Sequence, residues 1–229
     1  MPSEMHPSSL PALLERAMAR HQAGDLAMAA RGYLEILQRE PRHFEALHQL
    51  GVARAQAGDT AEAARHLTAA IAVNPRSAEA HLHLAHVRMA AGEAQAALGN
   101  YEQALALKPE YPEAWYGRGN ALLALARHAE AVESYDRALA LAPERPEALT
   151  HRGNALHDLK RFDEALADYD RALALLPDVA MLHNNRGNTL RELKRHAEAL
   201  ASLDRALALE PAYLDARANR GNVLQDLRR

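Results

Sequence analysis

A chain of 229 residues has room for one or two globular domains, and its apolar 48% is mostly alanine and leucine, with aromatics at only 4%. That composition suits many thin helix–helix layers better than one deep core, because alanine lets backbones approach closely. A formal charge of −3 excludes a global basic field for nucleic acid or an anionic membrane. The lack of cysteine excludes disulfides, thiolate metal sites and a cysteine nucleophile.

The opening stretch, residues 1–9 (MPSEMHPSS), has no apolar run, so it reads as a disordered leader and not as a secretory signal. No later segment has the apolar length of a membrane span, and the expected location is cytoplasmic. From Leu10 onward the chain repeats itself. Pro41, Pro75, Pro109, Pro143, Pro177 and Pro211 stand 34 residues apart without a slip. Ala29, Ala63, Ala97, Ala131, Ala165 and Ala199 keep the same interval, and a second alanine row runs from Ala70 to Ala206. A fixed period of this size marks a solenoid.

Each period reads as helix, turn, helix. In 112–145, Trp115, Gly119, Leu122 and Leu125 recur at helical spacing, and Ala131, Tyr135, Ala138 and Leu139 do so again. Proline closes each second helix because it cannot continue one. Gly58-Asp59 and Gly92-Glu93 make the turn inside repeats two and three, where later repeats use Lys160-Arg161 and Lys194-Arg195. The units are 10–43, 44–77, 78–111, 112–145, 146–179 and 180–213, with 214–229 a lone first helix. That last helix keeps Gly221, Val223, Leu224 and Leu227, so an uncapped carboxyl-terminal face is expected to favour self-association.

Trp115, Gly119, Leu122, Ala131, Tyr135 and Pro143 carry the pattern of the tetratricopeptide repeat, with Arg118 where the family has leucine. Over 10–229 the chain therefore resembles that family. The resemblance implies an all-α, right-handed superhelical α-solenoid of antiparallel hairpins whose concave groove holds an extended segment of another protein. By the family's geometry Asn120, Asn154, Asn188 and Asn222, each in an Arg-Gly-Asn motif, point into that groove, where an amide can donate to and accept from a peptide backbone. The family's carboxylate clamp needs cations, and its positions here hold Tyr116, Thr150, Asn184, Met181 and Asp215, so that clamp is not expected.

The later repeats are also similar to those preceding bacterial O-linked N-acetylglucosamine transferase-like proteins, in which the array selects protein substrates. Asn185 and Asn219 match one asparagine ladder of that group, though Gly117 and His151 interrupt it. A catalytic domain would then follow Arg229. Within 1–229 there is no phosphate loop, nucleophile elbow or metalloprotease helix, so no catalytic residue and no cofactor are expected. His81, His83 and His86 share one helix with Glu79, but nothing fixes them into a closed ligand set, and no metal is assigned. Ser134 and Ser202 recur at one helix position, which argues for a structural role.

Two further expectations concern side-chain columns. Arg118, Arg152, Arg186 and Arg220 each follow an acid by sixteen residues, namely Glu102, Asp136, Asp170 and Asp204. Where the column holds Leu50 or Leu84, the upstream residue is Leu34 or Thr68. Acid–arginine contacts between successive repeats are expected. The groove is expected to change character along the chain. Leu14, Met18, Val52, Leu82, Met89, His83 and His86 give an apolar first half. The second half has the asparagines together with His151, His157, Asp158, Arg191 and Glu192.

Overall fold

The computed structural model describes residues 9–228. The leader expected over 1–9 lies outside them up to residue 8, whereas Ser9 caps the first helix, its side chain accepting from the Ala12 N–H.

The described residues form two compact units, one ending at Glu110 and the other beginning at Tyr111. The first contains α1 (Leu10–Gln22), α2 (Leu26–Arg39), α3 (Phe44–Gln56), α4 (Thr60–Val73), α5 (Ala78–Ala90) and α6 (Ala94–Leu107). The second contains α7 (Pro112–Ala124), α8 (His128–Leu141), α9 (Pro146–Asp158), α10 (Phe162–Leu175), α11 (Ala180–Glu192), α12 (His196–Leu209) and α13 (Leu214–Asp226). Consecutive helices pair as hairpins, and each second helix packs on the next first helix of its unit. The all-α hairpin solenoid expected from the period is the fold observed.

The turn inside every hairpin is built alike. Gly24, Gly58 and Gly92 take φ near +80°, and their period equivalents Ala126, Lys160 and Lys194 take φ of +56° to +61°. In the first hairpin the Gly24 N–H bonds to the His21 carbonyl and the Asp25 N–H to the Arg20 carbonyl, which closes the last turn of α1 as a Schellman motif. Asp25 and Asp59 then cap the following helix through their carboxylates. In the later turns Arg127, Arg161 and Arg195 hold this place without capping, and each pairs at the surface with a glutamate three residues on.

The core is a chain of small clusters, not one centre. Val132 and Leu139 of α8 pack with Leu149 and Leu156 of α9 and Tyr169 of α10. Leu13, Tyr33, Ile36 and Leu50 form the equivalent cluster in the amino-terminal unit. Gly119 and Gly153 permit the hairpin crossing, since an added Cβ would lie 2.5 Å and 2.8 Å from the rings of Tyr135 and Tyr169. On α13, Ala216 and Val223 are buried, whereas Leu214 and, just past its end, Leu227 are exposed.

Candidate partner-binding site

The tyrosines of the second helices organise the asparagines of the first helices. Tyr135 Oη donates to Asn120 Oδ1 at 2.7 Å, and Tyr169 Oη donates to Asn154 Oδ1 at 2.7 Å. Burial raises both phenol pKa values, so the hydroxyls remain protonated donors. Each asparagine is thereby oriented, its oxygen toward the tyrosine and its amide nitrogen away from it. A second donor completes each oxygen. His151 Nδ1 lies 2.9 Å from Asn120 Oδ1, and Asn185 Nδ2 lies 3.1 Å from Asn154 Oδ1. Burial also lowers the pKa of His151, and its ring stacks on Tyr116 at a centroid distance of 5.7 Å.

One repeat later Leu203 replaces the tyrosine, and Asn188 Nδ2 turns to His157 Nε2 at 3.3 Å. Asn154, His157, Asp158, Tyr169, Asn185 and Asn188 enclose a cleft of about 230 Å³ between α9 and α11. Neither Asn154 Nδ2 nor Asn188 Oδ1 has a partner among the described residues. One offers a donor and the other an acceptor at the same opening.

The amino-terminal unit has a cleft at the period-equivalent place, between α1 and α3. Its volume is about 510 Å³, and Met18, His21, Gln22, Tyr33, Gln49 and Val52 occupy the same six positions. Here Met18 and Val52 stand where the other cleft has asparagines, and Tyr33 Oη meets His21 Nδ1 at 3.3 Å instead. Gln22, Gln49 and Gln56 make this wall more polar than the apolar first half expected. Leu82 corrects that expectation too. It is 4% exposed and lies in the core, as His48, Thr150 and Asn184 of the same column are buried, whereas Leu14 and Tyr116 of that column are half-buried.

The three histidines of α5 diverge. His81 contacts the Pro75 carbonyl and Asn100, His83 Nδ1 lies 2.8 Å from His48 Nε2, and the exposed His86 packs edge-on to Tyr101. Among the described residues no three His, Asp or Glu side chains are grouped to hold a metal. Asn219 Nδ2 donates to Asn184 Oδ1 at 2.9 Å, and Asn222 is exposed on α13.

The arginine column lies at the hairpin crossings. Arg186 Nε and Arg220 Nε donate to Asp170 and Asp204 at 2.6 Å, and Arg152 reaches Asp136. Glu102 and Arg118 belong to different units, and Arg118 Nη1 donates to Ser134 Oγ at 2.7 Å. The arginines have a second set of partners, sixteen residues downstream, that the sequence does not announce: Ser134, Asp168 and Ser202. The recurring serine was its only signal. Tyr135 and Tyr169 are likewise not announced as site residues, although each follows its asparagine by fifteen positions.

Among the described residues no helix is long and apolar enough to cross a membrane. A search of curated proteins finds no match. Among solved structures, the chain is similar to the MamA protein, at 26% identity over 72% of this chain and 91% of that one, with a TM-score of 0.68. YrrB, described as a TPR protein with an unusual peptide-binding site, shares the fold at 20% identity, covering 84% of this chain and 99% of its own, with a TM-score of 0.76. The pilF protein of Pseudomonas aeruginosa does so at 17% identity, covering 93% and 97%, with a TM-score of 0.79. The tetratricopeptide repeat family matches residues 82–146, 119–180 and 150–213, and a second match to the same repeat covers 54–98. Together with the hairpins and their period, these matches establish that the chain belongs to the tetratricopeptide repeat family.

Proposed function

We propose that the chain is a non-catalytic scaffold that binds an extended segment of a partner protein along its first-helix faces. The observation that carries this reading is the cleft between α9 and α11. There Tyr169 fixes Asn154 so that its amide nitrogen is open, beside the open carbonyl of Asn188. A peptide unit supplies the complementary acceptor and donor, each hydrogen bond contributing roughly 0.5–1.5 kcal/mol. Contacts to backbone alone give weak sequence selectivity. The peptide-binding site described for YrrB is in keeping with this use of the fold.

The alternative is the substrate-selecting arm of a longer glycosyltransferase. It has the Asn185 and Asn219 column as its support, and both of those amides are engaged by neighbouring asparagines. Selection of a displayed random peptide library on the chain tests the scaffold reading. Enriched peptides should bind the parent and lose at least tenfold in affinity for Asn154→Ala/Asn188→Ala, with helicity unchanged. Enrichment of nothing, or equal binding to the double variant, would remove the cleft as the site.

A further inference from the structure

A second surface, the groove between α1 and α2, has a different chemistry. Leu13, Ala17 and Met28 form its floor, and Arg16, Arg20 and Arg31 stand at its rim, around a volume of about 270 Å³. The floor and rim residues recur at three- and four-residue spacing on both helices, so the groove runs along them as a seat for a third helix. Glu35 is the one acid there, and Arg39 holds it at 2.8 Å.

Arg16 is the period equivalent of Arg152. In the carboxyl-terminal unit each column arginine that follows a second helix meets an acid of that helix: Asp136 with Arg152, Asp170 with Arg186, Asp204 with Arg220. Arg118, Arg152 and Arg186 also have an acceptor sixteen residues downstream, at Ser134, Asp168 and Ser202. Arg16 has neither. Its downstream position is Gly32, and among the described residues no helix lies against α1 from the upstream side. The column elsewhere follows its neighbour: it is leucine at 50 and 84, where the upstream residues are Leu34 and Thr68. An arginine at 16 is thus the residue type that this architecture places opposite a carboxylate.

We propose that the α1–α2 groove takes an amphipathic helix of a partner protein, packed as a second helix of the period would be, with an aspartate or glutamate opposite Arg16. Charge complementarity supports that occupant: Arg16 and Arg31 flank an apolar floor, Arg20 beside them is paired with Asp25 at 3.5 Å, and Glu35, the one acid of the lining, is paired with Arg39. The chain's own second helices provide the template, an alanine-rich face with a carboxylate at the place of Asp136.

The test uses the full chain and a helix-stapled synthetic peptide of residues 128–142, titrated by fluorescence anisotropy. The staple offsets the poor helicity of so short a peptide. Saturable binding is expected, weakened at least fivefold by Arg16→Glu in the chain or by Asp136→Lys in the peptide. Combining the two changes should restore most of the affinity. Absence of binding at 1 mM peptide (roughly the weakest affinity worth calling specific) overturns the proposal. Equal affinity for the Arg16→Glu chain overturns it as well. So does a concentration-dependent dimer through this face that the peptide fails to compete away.

Discussion

Asp168 on α10 grips Arg152 on α9 with both carboxylate oxygens, accepting from Nε at 2.7 Å and from Nη2 at 2.6 Å, while its side chain is only 3% exposed. Asp136 of the preceding hairpin holds the same guanidinium from the other side, and both acids raise the arginine's pKa. One arginine therefore ties three helices, α8, α9 and α10. Replacing it should hurt more than replacing either acid. Arg152→Met leaves Asp168 buried without its partner and should cost about 3 kcal/mol in urea unfolding. Asp168→Ser should cost only about 1 kcal/mol, because Ser134 and Ser202 serve Arg118 and Arg186 at this place.

The left-handed turn residues give a second prediction. Ala126, Lys160 and Lys194 adopt a backbone conformation that costs a residue with a Cβ roughly 1 kcal/mol relative to glycine. Ala126→Gly and Lys160→Gly should each stabilise the chain by about 0.5 kcal/mol, once the greater freedom of unfolded glycine is subtracted. A higher midpoint in chemical unfolding checks this. Gly58→Ala should act in the opposite sense.

Glycines within helices divide by what they touch. A Cβ at Gly153 would meet the Tyr169 ring at 2.8 Å, whereas one at Gly99 meets nothing within 4 Å. Gly153→Ala should destabilise by about 1–3 kcal/mol through overpacking and should loosen the Tyr169–Asn154 bond. Gly99→Ala should stabilise by about 0.5–1 kcal/mol. Thermal unfolding of the two variants, read by circular dichroism, separates them.

His83 gives a pH prediction. Burial, then the neighbouring His48 and His86, push its pKa down to about 4, with Glu79 opposing. The unfolded chain takes up this proton near its ordinary pKa of about 6.5, and the folded chain does so only near 4. Stability should therefore fall as pH drops through that window, by up to about 3 kcal/mol from His83 alone. His83→Gln should flatten that part of the pH profile, leaving the slope contributed by His48, His66 and His151, whose pKa values burial also lowers. Unfolding free energies at intervals between pH 7 and 4 provide the comparison.

The hairpins are legible in the sequence because proline and alanine recur wherever a helix must end or two must cross. The turn positions follow from the same period, including those where lysine takes the glycine's place. Asp168 is not legible in this way. Its column holds His66, Asn100, Ser134 and Ser202 in other repeats, and all of these are buried polar groups with local partners that no single spacing announces. Leu82 misleads for a related reason. Helical periodicity separates an apolar stripe from a polar one but does not say which side of a first helix faces the next repeat and which faces a groove. The asparagine column is evident from its regularity, but its orientation depends on tyrosines fifteen residues away, and only packing reveals that.

The central claim is that Asn154 and Asn188 receive the backbone of an extended partner. Their side-chain amide resonances, followed by nitrogen-15 NMR during titration with a library-selected peptide, test it most directly. Saturable shifts of the Asn154 and Asn188 amides with one common dissociation constant are expected. The buried Asn100 amide, held by Arg88 and His81, should stay still. Peptide binding that leaves the Asn154 and Asn188 amides unmoved would contradict a backbone-receiving role for these two residues.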